Sequence, residues 1–410
     1  MNVLYEWFIR LMTSGLHLAA FFHPKARKWV NGRQDWRRRY TASFEKTGRV
    51  LWVHAASLGE FEQGRPLIEA FREKFPDWQI VLSFFSPSGY EIRKNYPRAD
   101  FVCYLPADTR RNARDFLDLI RPDAAVFVKY EFWANYLSEL KRRGTPTLLA
   151  SALFRPQQPF FRWYGAFWRG MLGCFSHVFV QNAESGRLLE NTGLKNFTVA
   201  GDTRVDRVLN LAENAPENEI VRNFAGNRPV FIAGSAWEAD EAVLLPVLQK
   251  TEFQHFKIII APHEPSEKHL AQLIARLNRP YIRYSACNAP APPAEILIID
   301  NVGMLNTLYR YGAAAFIGGG FGKGIHNTLE PAAFGLPVLF GPRFEKFEEA
   351  RQLVARGGAF VIRDSADLTA VMKNLEDTAF YQQTSRAARA YLEESRGATD
   401  RILQYLSGVV

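Results

Sequence analysis

The stretch Ala313-Ala314-Ala315-Phe316-Ile317-Gly318-Gly319-Gly320-Phe321-Gly322-Lys323-Gly324-Ile325-His326-Asn327-Thr328-Leu329-Glu330-Pro331 decides the fold. Ala313 to Ile317 is an apolar run of strand length. Gly318, Gly319, Gly320, Gly322 and Gly324 then form a loop whose backbone can come close to a ligand. Asn327 and Glu330 have the spacing of a capping box, which predicts a helix start. Strand, glycine loop and helix N-terminus together suit an anion, because unpaired N–H groups and the helix dipole point at it. Glu330 adds a carboxylate that suits ribose hydroxyls. The plainer reading is a tight strand–helix turn with an ordinary cap. The glycine spacing matches neither the dinucleotide fingerprint nor the Walker loop.

The same alternation runs outward in both directions. Toward the N-terminus, Val50 to Ala55, Ile80 to Phe84, Ala124 to Val128, Thr147 to Ala150 and Val178 to Val180 read as buried strands. Each is followed by polar or helical sequence, with a helix expected from Pro66 after the first. Residues 204–228 are polar and helical and read as a domain junction. A second series follows at Val230 to Ala233, Lys257 to Ala261, Glu295 to Ile299, Ala313 to Ile317 and Val338 to Phe340. Asn288 to Pro293 reads as a surface linker. Such alternation implies parallel sheets covered by helices, with function beyond the carboxyl ends of the strands. The expectation is an α/β protein of two Rossmann-like domains facing a central cleft. The boundaries are an N-terminal segment at 1–45, domains at 46–205 and 206–376, and a C-terminal helical segment at 377–410.

A chain of 410 residues exceeds one typical core. Three scattered cysteines suit neither a disulfide framework nor a zinc site, and eight histidines show no metal spacing. No metal site is expected. Of the net charge of +9, residues 1–50 supply +7, from ten Lys/Arg against three acids. The basicity is therefore local, and no nucleic-acid partner is expected. Leu4, Trp7, Phe8, Leu11, Leu18 and Phe22 fall on one helical stripe. Trp29, Trp36 and Tyr40 follow among arginines. The pattern suits a helix lying in the interface of an anionic leaflet; the plainer reading is a helix packed on its own domain with a solvated basic loop.

Three residues could carry chemistry, Glu60 and Glu131 at strand ends and Arg204 at the domain junction. Glu60 is placed to take a proton from an attacking hydroxyl, or else only to stabilise a helix dipole. Glu131, between Tyr130 and Phe132-Trp133, is a partly desolvated carboxylate, functional or structural. Arg204 could meet a phosphate or developing negative charge, or could simply pair with Asp202 or Asp206. His263 and His326 sit beside the second series of strand ends. They could hydrogen-bond a base or phosphate, although a lone histidine is more often structural.

The motifs resemble those of the 3-deoxy-D-manno-octulosonic acid (Kdo) transferases of lipopolysaccharide synthesis, over nearly the whole chain. Val53-His54-Ala55-Ala56-Ser57-Leu58-Gly59-Glu60 resembles the family's strand ending in V-G-E, which implies Glu60 as catalytic base. Lys129-Tyr130-Glu131-Phe132-Trp133-Ala134-Asn135 is similar to E-x-E-L-W-P-N, with Lys129 in place of the first glutamate. Glu131 falls on the second, assigned to the transition state. Gly201-Asp202-Thr203-Arg204-Val205-Asp206 resembles G-N-L-K-F-D, and implies the same role for Arg204. On the nucleotide side, Pro262-His263 falls on a Pro-Arg pair and Val302-Gly303-Met304 on M-G-E. Gly318-Gly319 and His326-Asn327-Thr328-Leu329-Glu330-Pro331-Ala332-Ala333 resemble G-G and G-H-N-P-L-E-P-A-A.

The resemblance implies a GT-B glycosyltransferase that moves Kdo from CMP-Kdo to lipid A precursor with inversion. It implies no cofactor beyond the donor. The location implied is the cytoplasmic face of the inner membrane, peripheral or N-terminally anchored. Two alternatives remain: another GT-B nucleotide-sugar enzyme, such as a UDP-sugar transferase or epimerase, and a non-catalytic protein that binds anionic lipid through residues 1–50.

Overall fold

The computed structural model describes residues 3–287 and 293–410; the linker expected at Asn288 to Pro293 lies outside them but for its last residue. The chain divides into two compact units, residues 1–206 with 397–410, and residues 207–396.

The first unit carries seven parallel strands: β1 Val50–Ala55, β2 Gln79–Phe84, β3 Phe101–Tyr104, β4 Ala124–Val128, β5 Thr147–Ala152, β6 His177–Val180 and β7 Phe197–Val199. Their spatial order is β3-β2-β1-β4-β5-β6-β7. β1 and β4 are buried along their whole length, as expected of central strands with helices on both faces. The second unit repeats the plan with β8 Val230–Ala236, β9 Lys257–Pro262, β10 Tyr281–Arg283, β11 Ile296–Ile298, β12 Ala314–Ile317, β13 Val338–Phe340 and β14 Ala359–Val361. Their order is β10-β11-β9-β8-β12-β13-β14. In each sheet the strand order reverses beside the first strand, at β1/β4 and at β8/β12. Ligands of open α/β sheets bind beyond the strand ends at such points.

Two strands carry an irregularity near the carboxyl end. The register shifts between Leu149 and Ala152 in β5 and between Gly234 and Ala236 in β8. Ser151 and Ser235, each at φ 52°, are the residues that absorb it. A local bulge of this kind bends the strand and re-aims the segment that follows.

Several expectations change. β3, β7, β10 and β14 are short edge or near-edge strands whose apolar runs are too brief to stand out in the sequence. The helix after β1 spans Leu58–Lys74, so it begins eight residues before Pro66, which lies inside it. Glu60 is therefore in its first turn. The C-terminal stretch is two helices, Thr378–Glu394 and Ala398–Val409, separated by Gly397 at φ 92°. The second belongs to the first unit, where Ile402 and Leu406 enter the core beneath β1. Asp206 joins it there by accepting from the N–H groups of Gly397 and Thr399 at 2.6 and 2.7 Å.

Residues 1–45 are not a separate segment either. Helices Pro24–Asn31 and Trp36–Ser43 pack on the first unit, with Trp29, Trp36 and Tyr40 buried. Arg33, expected in a solvated basic cluster, is enclosed. Its guanidinium lies over the Trp29 ring and donates to the carbonyls of Leu105 and Phe85, both at 2.7 Å. Burial lowers its pKa to about 9. The basic-aromatic stretch is structural because its aromatics bury their area against the sheet's helices. Only helix Val3–Ala19 keeps an apolar face outside.

Candidate active site

The first unit's site forms at its switch point. Glu131 follows β4 and is buried. It is bonded to side chains rather than to the backbone, accepting from His54 Nε2 at 3.0 Å and from Trp133 Nε1 at 2.7 Å. His54 comes from β1 and is fully buried; its Nδ1 lies 2.8 Å from Ser83 Oγ on β2. Trp52 Nε1 in turn donates to Ser83 Oγ at 2.8 Å. One proton arrangement satisfies every group: Trp52 to Ser83, Ser83 hydroxyl to His54 Nδ1, His54 Nε2–H to Glu131. His54 escaped the candidate residues. Its signal was a histidine inside the apolar run of β1.

Glu60 accepts from the Ser57 hydroxyl at the same strand end. Burial pushes its carboxyl above the usual range and nearby Glu131 adds to the rise, while Lys129 pulls it down. Lys129 itself stands at φ 66°, a left-handed backbone that side chains seldom adopt and that clusters at functional sites. Arg204 forks onto Asp202, with Nε at 3.0 Å and Nη2 at 2.6 Å from Oδ2. Burial alone would raise Asp202, but Arg204's charge and hydrogen bonds hold it below the usual carboxylate range, helped by Lys129. Asp202 thus takes the pairing that left open Asp202 or Asp206. Glu60, Glu131, Lys129, Asp202 and Arg204 form one electrostatic neighbourhood, in which three acids face two cations.

In the second unit the glycine loop behaves differently from expectation. The N–H of Gly318 donates to the Gly234 carbonyl at 2.9 Å, and that of Gly319 to Asp240 Oδ2 at 2.8 Å. Those of Gly322 and Gly324 donate to the Gly319 carbonyl at 2.9 and 3.1 Å. These donors are spent on β8, Asp240 and the loop itself and not aimed at a ligand. A Cβ on Gly318 would stand 2.1 Å from the Ser235 carbonyl oxygen, and one on Gly320 2.5 Å from the Gly341 nitrogen. Those glycines admit neighbouring backbone. Helix Leu329–Ala333 has only five residues and begins after Thr328, whose side chain makes no cap. Asn327 instead accepts from the Leu329 N–H at 3.1 Å and donates to Glu330 at 3.0 Å. The capping box expected at Asn327 is thus a side-chain brace on Glu330, and so short a helix adds little dipole.

What the second unit does bring together is aromatic. Trp237, just past β8, stacks on His263 at 4.5 Å between centroids, and His263 stacks on His326 at 4.3 Å. Trp237 Nε1 donates to His326 Nε2 at 3.1 Å. Burial, with His263 beside it, lowers the His326 pKa to about 4. Asp240 ties Trp237 to the loop by accepting from the Trp237 N–H at 2.8 Å as well as from Gly319. A cavity of about 760 Å³ opens here, lined by Trp237, Lys268, Gly319, Lys323 and His326 among others. Pro262 ends β9 and leads into His263. Leu329 is core and Thr328 is fully buried. Val302, Gly303 and Met304 form the turn after β11 and do not line this cavity. Trp237 and Asp240 were not foreseen; an acid three residues after a strand-end aromatic was their trace.

Residues 34–207 match the family described as 3-deoxy-D-manno-octulosonic-acid transferase (kdotransferase). The 3-deoxy-D-manno-octulosonic acid transferase of Haemophilus influenzae is 26% identical over 369 residues, 87% of this chain and 86% of that protein. That of Bordetella pertussis is 29% identical over 380 residues, with the same coverage of 87% and 86%. Among solved structures, UDP-GlcNAc 2-epimerase from Neisseria meningitidis bound to UDP-GlcNAc superposes with a TM-score of 0.62 at 14% identity, over 88% of this chain and all of that one. Acinetobacter baumannii MurG does so with a TM-score of 0.57 at 13% identity, over 88% of this chain and 100% of its own. The fold is that of a GT-B enzyme. Within that class the chain is similar to the Kdo transferases over most of its length, and it is a glycosyltransferase.

Proposed function

We propose that this enzyme transfers Kdo from CMP-Kdo to a lipid A precursor, with Glu60 as the base. The observation that carries the reading is Glu60 itself: a half-buried carboxyl, raised above its usual range, at the first unit's switch point. Relatives named for Kdo transfer support it over most of the chain. In this reading Glu60 removes the proton of an acceptor hydroxyl. The freed oxygen bonds to the anomeric carbon of Kdo from the face opposite the phosphate. The carbon–oxygen bond to CMP breaks and CMP leaves with the electron pair, giving inversion without a covalent intermediate. Arg204 meets the negative charge that develops on the leaving phosphate, and Glu131 orients the reacting groups.

The donor's nucleotide is assigned to the second unit's cavity, with His263 and His326 at its ring stack, Gly319 in its wall and Gly318 buried behind it, and the Asn327–Glu330 brace at the ribose. The turn Val302–Met304 and the residues Pro262, Thr328 and Leu329 support this site rather than touch the donor. The reading includes no resident metal, so transfer is expected to persist in EDTA.

The enzyme is placed peripherally on the cytoplasmic face of the inner membrane. Among the described residues no helix is long and apolar enough to cross a bilayer, and helix Val3–Ala19 turns Leu4, Trp7, Phe8 and Leu11 outward. The deciding experiment incubates the full chain with CMP-Kdo and tetraacylated lipid A precursor and reads product masses. A Kdo adduct is expected. Melting shifts with UDP but not CMP, together with no adduct, would overturn the assignment.

A further inference from the structure

We propose that an arginine-lined pocket beside the N-terminal helix is a binding site for the phosphate of an anionic phospholipid headgroup. The proposal rests on the peripheral membrane reading given above. It adds a defined site made by elements far apart in the chain.

Arg10 of helix Val3–Ala19, Arg37 of helix Trp36–Ser43, and Arg110, Arg111 and Arg114 of helix Arg110–Ile120 line one open pocket of about 790 Å³. Two acids share it. Glu6 accepts from the Arg110 N–H at 3.3 Å and pairs with Arg10 at 3.5 Å. Asp115 accepts from Arg37 at 2.6 Å and lies 3.7 Å from Arg111. Five guanidinium groups against two carboxylates leave a surplus of +3. Arg10, Arg37, Arg110, Arg111 and Arg114 are all exposed. Arginine forks match phosphate oxygens bidentately. Arg110, Arg111 and Arg114 lie outside the basic N-terminal fifty residues, and it is the fold that groups them with Arg10 and Arg37.

The position of the pocket chooses a lipid over other phosphates. Glu6 and Arg10 flank the outward apolar face of the same helix. Leu4, Trp7, Phe8 and Leu11 on that face are each at least 59% exposed. Leu18 near its far end and Phe21 and Phe22 in the turn just past it are also exposed. An apolar face edged by guanidinium groups puts carbon at acyl depth and cations at headgroup level. A second aromatic element adjoins it. The Tyr5 ring packs 5.5 Å from Phe167, whose segment carries Trp163 at 92% exposure. Exposed tryptophan is favoured at a bilayer interface.

The test is co-sedimentation of the full chain with vesicles of phosphatidylcholine alone and with about one third phosphatidylglycerol. Wild type is expected to bind the anionic vesicles at least about tenfold more tightly than the neutral ones. The triple change Arg110→Gln, Arg111→Gln, Arg114→Gln should remove most of that difference and leave neutral binding unchanged. Phe8→Ser with Leu11→Ser should weaken binding to both. All these side chains are exposed, and unchanged melting temperatures will show that folding is intact. If the triple variant binds anionic vesicles as wild type does, the pocket is not the site, although the membrane reading stands. If wild type binds neither vesicle, the membrane reading itself falls. Full displacement from anionic vesicles by millimolar inorganic phosphate would reassign the pocket to a soluble anion and overturn the proposal.

Discussion

His54 and Glu131, seventy-seven residues apart in the chain, meet in the core of the first unit with Nε2 3.0 Å from Oε2. The contact joins the ends of the two strands between which the sheet reverses. It turns Glu131 from a carboxylate among aromatics into the terminus of a buried relay that begins at Trp52.

Replacing His54 by Phe should therefore be costly. It fills the space but leaves the Glu131 carboxylate with one donor fewer and the Ser83 hydroxyl without its acceptor. A buried polar group stripped of its partner costs roughly 1–3 kcal/mol, more for a charged one. Urea unfolding should show a loss of about 2 kcal/mol or more. Turnover should fall while CMP binding holds, since the change lies in the other unit. A variant as stable and active as wild type would show that Glu131 does not depend on this histidine.

Glu60 gives a pH prediction. Burial raises its folded pKa above the reference glutamate. The base must be ionised, so kcat/KM should fall as pH drops through a pKa above about 4.3. Glu60→Gln should abolish transfer and keep the melting shift produced by CMP. Lys129 lowers the Glu60 pKa, so Lys129→Met removes an opposing charge and should move the acid limb to higher pH. An acid limb that stays put in Lys129→Met separates the two groups and removes Lys129 from the site.

The doubly wound plan and the strand-end positions of Glu60, Glu131 and the glycine loop were legible because long buried strands announce themselves as apolar runs. The short edge strands were not, since three or four residues carry little pattern. The glycines were legible as necessary but not in their purpose. Sequence marks Gly318 as part of a loop that can come close to a ligand; the neighbouring Ser235 carbonyl shows that what comes close to it is protein backbone. The Trp237–His263–His326 stack was hidden for a related reason. Its members are 26 and 63 residues apart, and only the parallel order of β9, β8 and β12 sets them side by side.

That stack predicts an acid weakness. The His326 pKa of about 4 in the folded protein lies below the ordinary value of about 6.5. Between those values the unfolded chain binds more protons, so this group makes stability rise with pH and fall as pH drops from about 6.5 toward 4. The Trp237 N–H bond to Nε2 requires that nitrogen unprotonated. Following the His326 ring protons by NMR should show no titration near pH 6.5. Trp237 fluorescence should change as the pH approaches 4. An ordinary titration midpoint would mean that the stack is open in solution.

Two glycines four residues apart make the last test, because the loop treats Gly318 and Gly322 oppositely. Gly318 closes β12 against the bulged end of β8, and a Cβ there meets the Ser235 carbonyl oxygen at 2.1 Å and the Ala236 Cα at 2.7 Å. That Ser235–Ala236 backbone cannot step aside as a side chain would. Gly318→Ala must push the two strands apart where Gly318 donates to Gly234. Overpacking of this kind costs typically 1–3 kcal/mol, and the displacement should also weaken CMP binding by moving Gly319 off Asp240. At Gly322 the nearest atom to a Cβ is the Gly319 carbonyl oxygen at 3.5 Å, an ordinary contact. Gly322→Ala should leave stability within about 0.5 kcal/mol of wild type. Thermal unfolding of the two variants side by side checks the contrast, and equal melting temperatures would mean that β12 and β8 do not approach as closely as described.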